Sequence, residues 1–176
     1  MFHPTQKEWA LAASWTSCAE FTDEPCKIYK ELFATKNMGE EWSYLTNYVY
    51  DFEWAQSAFA KGKGVKIPDE RVFVTRDNDA KGHQHSATSN GKHWSTKVDL
   101  YVSDNLFATS SLLLEAGNTI VKSPEYMFVA VSHTDGQRVQ IFSANYETGF
   151  MKLKLVRLPK DAMLSNSFTL MDTAEA

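Results

Sequence analysis

The chain has 176 residues, of which 43% are hydrophobic and 13% aromatic, with a formal charge of −4. That length and apolar content fit one domain with a real core, and exclude a disordered or low-complexity chain. An acidic chain with no dense Lys/Arg cluster excludes non-specific nucleic-acid binding, which works by displacing counterions from phosphates. No apolar run approaches the roughly 18–20 residues that span a bilayer. Met1 leads into Phe2-His3-Pro4-Thr5, without the basic flank and apolar stretch of a signal peptide. Taken alone, these features read as a soluble, cytosolic chain.

In chain order, the predicted strands are 9–14, 28–35, 42–47, 71–75, 98–103, 126–132, 139–143, 151–156 and 168–171. Each is rich in β-branched or aromatic residues, and several alternate apolar with polar. Residues 110–116 are the next-best helix, though short and poorly capped. Lys61-Gly62-Lys63-Gly64 reads as a flexible turn, and Thr134-Asp135-Gly136 as a hairpin. The long polar stretch 77–93 is of a length that is uncommon inside compact domains and often functional.

Many short, evenly spaced strands point to a sandwich, barrel or propeller, and internal repetition decides among them. Thr35-Lys36-Asn37-Met38-Gly39-Glu40-Glu41-Trp42 fits the Asp-box pattern S/T-x-D-x-G-x-x-W with Asn in place of Asp. In such a turn the hydroxyl and amide side chains bond the backbone, the Gly takes a conformation costly for other residues, and the aromatic anchors the hairpin. Trp42 is therefore expected in the core. A second copy keeps only Ser103 and Asn105; a third keeps Ser143, Asn145 and Phe150, with Glu147 at the Gly position. The box starts lie 68 residues (35 to 103) and 40 residues (103 to 143) apart. The second spacing is close to the roughly 40–50 residues of a propeller blade. The expected fold class is all-β: β-propeller blades with Asp-box turns, a partial propeller divided at 1–67, 68–120 and 121–176.

Other groups have plainer readings. His83, His85 and His93 lack a matched carboxylate or cysteine, so neither metal nor other cofactor is expected. Their titration near pH 6 could assist ligand release in an acidic compartment. The Asp51/Glu53 and Asp77/Asp79 pairs read as solvated carboxylates rather than an acid–base pair. Trp9, Trp15, Trp54 and Trp94 read as core or inter-blade residues. Cys18 and Cys26 leave open either a short disulfide loop or two thiols.

The order of features resembles the sortilin-type vacuolar protein-sorting receptors over essentially the whole chain. It runs from Phe2-His3-Pro4 and Trp9-Ala10-Leu11-Ala12 through the cysteine pair and the Thr35–Trp42 box. It continues with Arg71-Val72-Phe73-Val74-Thr75, Asp99-Leu100-Tyr101-Val102-Ser103-Asp104 and Tyr126-Met127-Phe128-Val129-Ala130-Val131. The resemblance implies about three blades of a larger propeller on the luminal side of a single-span receptor. Its place is the Golgi and endosome, with the membrane reached only through a segment outside this chain. It implies a Cys18–Cys26 disulfide. The partners it implies are protein or peptide cargo and the receptor's remaining blades. By the same resemblance Arg138 meets a ligand's C-terminal carboxylate, with Phe128, Phe168 and Leu170 around its last side chain. Ala130 stands where the family has a Ser, and Phe168 where it has a Tyr. Arg suits this role because its planar fork meets a carboxylate bidentately. The expected function is cargo binding rather than catalysis. The alternatives are a sialidase-like Asp-box hydrolase, which needs several convergent Arg and a Tyr–Glu pair, and a non-functional truncated propeller.

Overall fold

A computed structural model describes residues 1–16, 29–77, 98–132 and 139–157. Eleven strands in these segments form three antiparallel sheets, with one short helix. The first sheet holds β1 (Ala10–Trp15), β2 (Lys30–Thr35) and β3 (Ser43–Asn47). The second holds β4 (Val49–Trp54), β5 (Val72–Asp77), β6 (Val98–Ser103) and β7 (Ser111–Leu114). The third holds β8 (Gly117–Lys122), β9 (Tyr126–Ser132), β10 (Val139–Asn145) and β11 (Lys154–Leu155). Each sheet is a meander in chain order, the pattern of consecutive propeller blades.

The sheets divide the chain at Tyr48 and around Ala116, earlier than the divisions at 67/68 and 120/121 read from the sequence. Both junction residues have left-handed backbones, φ 54° at Tyr48 and 57° at Ala116. A left-handed residue reverses the chain sharply, so the last strand of one sheet runs almost directly into the first strand of the next. Residues 110–116 correct the helical expectation: β7 fills most of that stretch and pairs with β6. Partner strands supply the hydrogen bonds that a short, poorly capped helix would lack. The turn expected at 61–64 is present at Lys63-Gly64, and it follows α1 (Ala58–Gly62), which begins at an N-cap, Ser57, whose side chain accepts the Ala60 N–H. Lys63 closes its C-terminal end.

Two apolar clusters fill the spaces between sheets. Leu11, Leu32, Ala34 and Leu45 of the first sheet pack on Val49, Trp54, Val72 and Val74 of the second. Phe73, Leu100 and Val102 pack on Ile120, Met127, Val129, Ala144 and Phe150 of the third. The second sheet thus contributes alternate residues of β5 to opposite clusters, as the period of two along a strand requires.

Candidate functional site

The turns after β2 and β6 share one bonding scheme. Thr35 Oγ1 donates to Asn37 Oδ1 at 2.9 Å and accepts the Asn37 and Gly39 N–H groups at 3.3 and 2.9 Å. Asn37 Oδ1 also accepts the Glu41 N–H at 3.0 Å. Ser103 Oγ donates to Asn105 Oδ1 at 2.9 Å and accepts the Asn105 and Phe107 N–H groups at 3.2 and 2.8 Å. Asn105 Oδ1 accepts the Thr109 N–H at 2.9 Å. Two successive residues in each turn have positive φ: Met38 and Gly39 (60° and 88°), and Leu106 and Phe107 (49° and 65°). Phe107 therefore holds a left-handed conformation where the first turn uses Gly39.

The chain turns differently after β10. Residues Tyr146–Thr148 form a 3-10 turn, and the Asn145 side chain makes no capping bond. Ser143 lies within β10, paired with Phe128 and Lys154. Phe150, with φ 61°, is fully buried between the second and third sheets. Trp42 corrects the expectation of a core residue. It is 45% exposed, with its ring 3.6 Å from where a Gly39 Cβ would stand. It covers its own turn on the face of the first sheet that points away from the second.

The first strands β4 and β8 carry the charge of the interior. Asp51 and Glu53 correct the solvated reading, because β8 packs over β4 and takes both from water. Asp51 Oδ2 accepts the Ile120 N–H at 2.8 Å and Oδ1 the Phe52 N–H at 2.9 Å. Burial nevertheless pushes its carboxyl above the usual range. Burial pushes Glu53 to about 7, against a smaller opposing pull from Lys122. Burial also depresses the Lys122 ammonium, whose Nζ donates to the Gln56 carbonyl at 3.0 Å and lies 4.8 Å above the Phe150 ring. Thr75 Oγ1 donates to the Asn118 carbonyl at 2.9 Å, and Ser57 Oγ to the Pro124 carbonyl at 2.5 Å. These polar bonds run between the second and third sheets alongside their apolar cluster and fix their register.

The amino-terminal segment ties the first two sheets together. His3 is buried between Trp9 and Trp54, with ring centroids at 5.4 and 4.6 Å. Its Nδ1 accepts the Thr5 and Gln6 N–H groups, so Nε2 carries the proton and donates to the Asp69 carbonyl at 3.0 Å. Burial holds this imidazole below its ordinary pKa. The Asp69 carboxylate accepts from Gln6 and Gln56, both at 2.7 Å. Arg71 forks onto Asp104 at 2.6 and 3.0 Å, and the Asp104 carboxyl is held low by that contact.

Of the residues expected around a ligand carboxylate, Phe128 stands on β9, half-buried, with its ring 6.5 Å from Tyr126. Arg138, Phe168 and Leu170 lie outside the described residues, as do Cys18, Cys26, His83, His85, His93 and the 134–136 hairpin. Among the described residues, no group of three or more His, Cys, Asp or Glu could hold a metal ion. No helix among them is long and apolar enough to cross a membrane.

Three consecutive antiparallel meanders, joined last strand to first, define a partial β-propeller. The Sortilin-Vps10 family profile, described as "Sortilin, neurotensin receptor 3", matches residues 1–176. The chain belongs to that family of receptors, whose domain is luminal or extracellular. No curated protein sequence matches this chain. Among solved structures it is similar to the β-propeller domain of the Trilobed protease from Pyrococcus furiosus, described as having an open velcro topology. The identity is 12% and the TM-score 0.49, over 90% of this chain and 42% of that one. The chain thus spans less than half the length of that structure.

Proposed function

We propose that this chain is the cargo-binding luminal segment of a sortilin-type sorting receptor, carrying hydrolases or peptides from the Golgi to the endosome or vacuole. The family match along the whole chain carries the reading. In this reading the turns at Thr35 and Ser103 are Asp boxes, and Cys18 pairs with Cys26. Membrane attachment and the remaining blades come from polypeptide outside residues 1–176. Arg138 receives a cargo peptide's C-terminal carboxylate in a bidentate ion pair. Phe128, Phe168 and Leu170 surround the last side chain.

The test is a peptide ending in a free carboxylate, titrated by calorimetry against the parent and Arg138→Ala. Losing one partner of a charge-assisted pair should weaken binding at least about tenfold. Amidating the peptide should weaken binding to the parent by a similar factor. Equal affinities across the series would overturn the role of Arg138.

A further inference from the structure

Two arginines stand at opposite ends of β5, and they are used differently. Arg71, just before the strand, donates to oxygen through three nitrogens: Nε and Nη2 to Asp104 at 2.6 and 3.0 Å, and Nη1 to the Gly149 carbonyl at 3.4 Å. Arg76, near the other end, donates to none among the described residues. Its Nε is buried without a hydrogen-bond partner, and neither ion pair among the described residues uses its guanidinium. Buried polar groups are otherwise almost always paired, so such a donor calls for a reason.

The strand sets where Arg76 points. Val72 and Val74 enter the cluster shared with the first sheet, and by the period of two Arg76 follows them. Its Cζ lies over the Tyr101 ring, 5.7 Å from the centroid. Tyr101 pairs with Val74 and so shares that face. Burial raises the phenols of Tyr44 and Tyr101. Glu31 adds to the first and Asp99 to the second, and in both the Arg76 charge pulls the other way. The guanidinium therefore stands beside two phenol groups. The contact with the Tyr101 ring answers part of its charge and supplies no oxygen for its N–H donors.

The carboxylates nearest on the sheet do not supply one. Asp99, directly across the ladder, accepts the Ala116 N–H at 2.7 Å and makes no ion pair with Arg76. Asp77 follows Arg76 in the strand and points to the opposite face. Arg76 is half-buried, whereas the exposed Arg157 has water around it.

We propose that Arg76, beside Tyr44 and Tyr101, binds a carboxylate side chain of a protein or peptide ligand. The guanidinium fork matches a planar carboxylate, and the phenols are donors for the same oxygens. A single negative charge suits the place, because Glu31, Asp77 and Asp99 repel a more highly charged group such as phosphate. Arg and Tyr are also the side chains that most often dominate binding energy at protein interfaces. The inference rests on the ligand-binding reading above, and adds an acidic side chain to the groups recognised.

The probe is the tripeptide Ala-Glu-Ala, acetylated and amidated, followed by the Arg76 Nε–H resonance in NMR. Its blocked ends leave no terminal carboxylate for Arg138, so Arg138→Ala should not change its affinity. Failure at Arg76 is thereby distinguished from failure of the Arg138 site. The resonance should move and saturate, while that of Arg157 moves little. The matching Ala-Gln-Ala peptide should bind at least about tenfold more weakly to the same unaltered protein. Arg76→Lys keeps the charge without the fork and should weaken binding of the Glu peptide by a similar factor. Equal binding of the Glu and Gln peptides overturns the proposal. So do equal shifts at Arg76 and Arg157, full affinity in Arg76→Lys, or displacement of the Glu peptide by phosphate at lower concentration than by acetate.

Discussion

Thr35 and Ser103 each use one hydroxyl to accept two backbone N–H groups and to donate to an Asn oxygen. Both hydroxyls are nearly fully buried, so alanine at either position leaves partly buried N–H donors without their partner. Thr35→Ala and Ser103→Ala should each lower stability by about 1–2 kcal/mol. Ser143, at the corresponding place in the sequence pattern, makes no such bonds among the described residues. Ser143→Ala should stay within about 0.5 kcal/mol. Urea midpoints of the three variants measure this, and three equal shifts would sink it. The Ser103 turn was hard to read in the sequence because Phe107 stands where a Gly is expected. The bonding depends on the hydroxyl and the Asn amide, and both are present; a phenylalanine tolerates the left-handed backbone at a modest cost. The turn at Asn145 shows the converse, since matching letters there sit on a different backbone.

Besides β7, which reads as a short helix, the strands that elude sequence reading are β4 and β8, the first strands of their sheets. Strands flanking them, such as β5, β6 and β9, announce themselves by runs of Val, Phe and Leu. β4 carries Asp51 and Glu53, and β8 opens with Gly-Asn and ends with Lys122, so neither shows a clean apolar pattern. The β4 carboxylates read as solvated in the sequence because nothing local reports that β8 lies across β4. The consequence is a pH dependence with a definite sign. Glu53 titrates near 7 in the fold against 4.5 as its ordinary value. The folded state thus binds the proton more tightly, and ionisation works against folding. Stability should fall on the order of 2–3 kcal/mol as pH rises from about 4.5 to about 7, then level off with respect to this group. The facing charges are Asp51, which adds to the effect, and Lys122 and the Met1 ammonium, which reduce it. His3 acts oppositely. Its folded pKa is depressed, so its contribution is present above 6.5 and is lost as pH falls through the lower folded value. Glu53→Gln should therefore leave a protein whose urea midpoint declines more steeply on acidification than the parent's. Superimposable pH profiles for the two would exclude a buried, titrating Glu53.

At the scale of the whole chain, each sheet holds on to its neighbour through a separate cluster, and the second sheet belongs to both. Leu32, Trp54, Val72 and Val74 join the first sheet to the second; Phe73, Leu100, Met127 and Phe150 join the second to the third. The repetition that makes this architecture was legible in the Thr35 and Ser103 turns, whereas the division into sheets was not, because it falls at Tyr48 and Ala116, two non-glycine residues in left-handed conformations. Stacked units of this kind behave approximately as nearest-neighbour arrays, in which each interface contributes its own energy. Removing a buried side chain should then loosen one interface and spare the other. Leu32→Ala should cost about 2–5 kcal/mol and Phe150→Ala about 3–5 kcal/mol, by lost transfer energy and the cavity left behind. Native-state hydrogen exchange separates the two effects. With Leu32→Ala, amides of β1–β3 should exchange faster while those of β9 and β10 keep their protection. With Phe150→Ala, β8–β10 should exchange faster and β1–β3 remain slow. Amides of β5, whose side chains enter both clusters, should respond to each variant. Uniform acceleration in all three sheets by either substitution would mean that the chain opens as one cooperative unit, and the nearest-neighbour account would have to be abandoned.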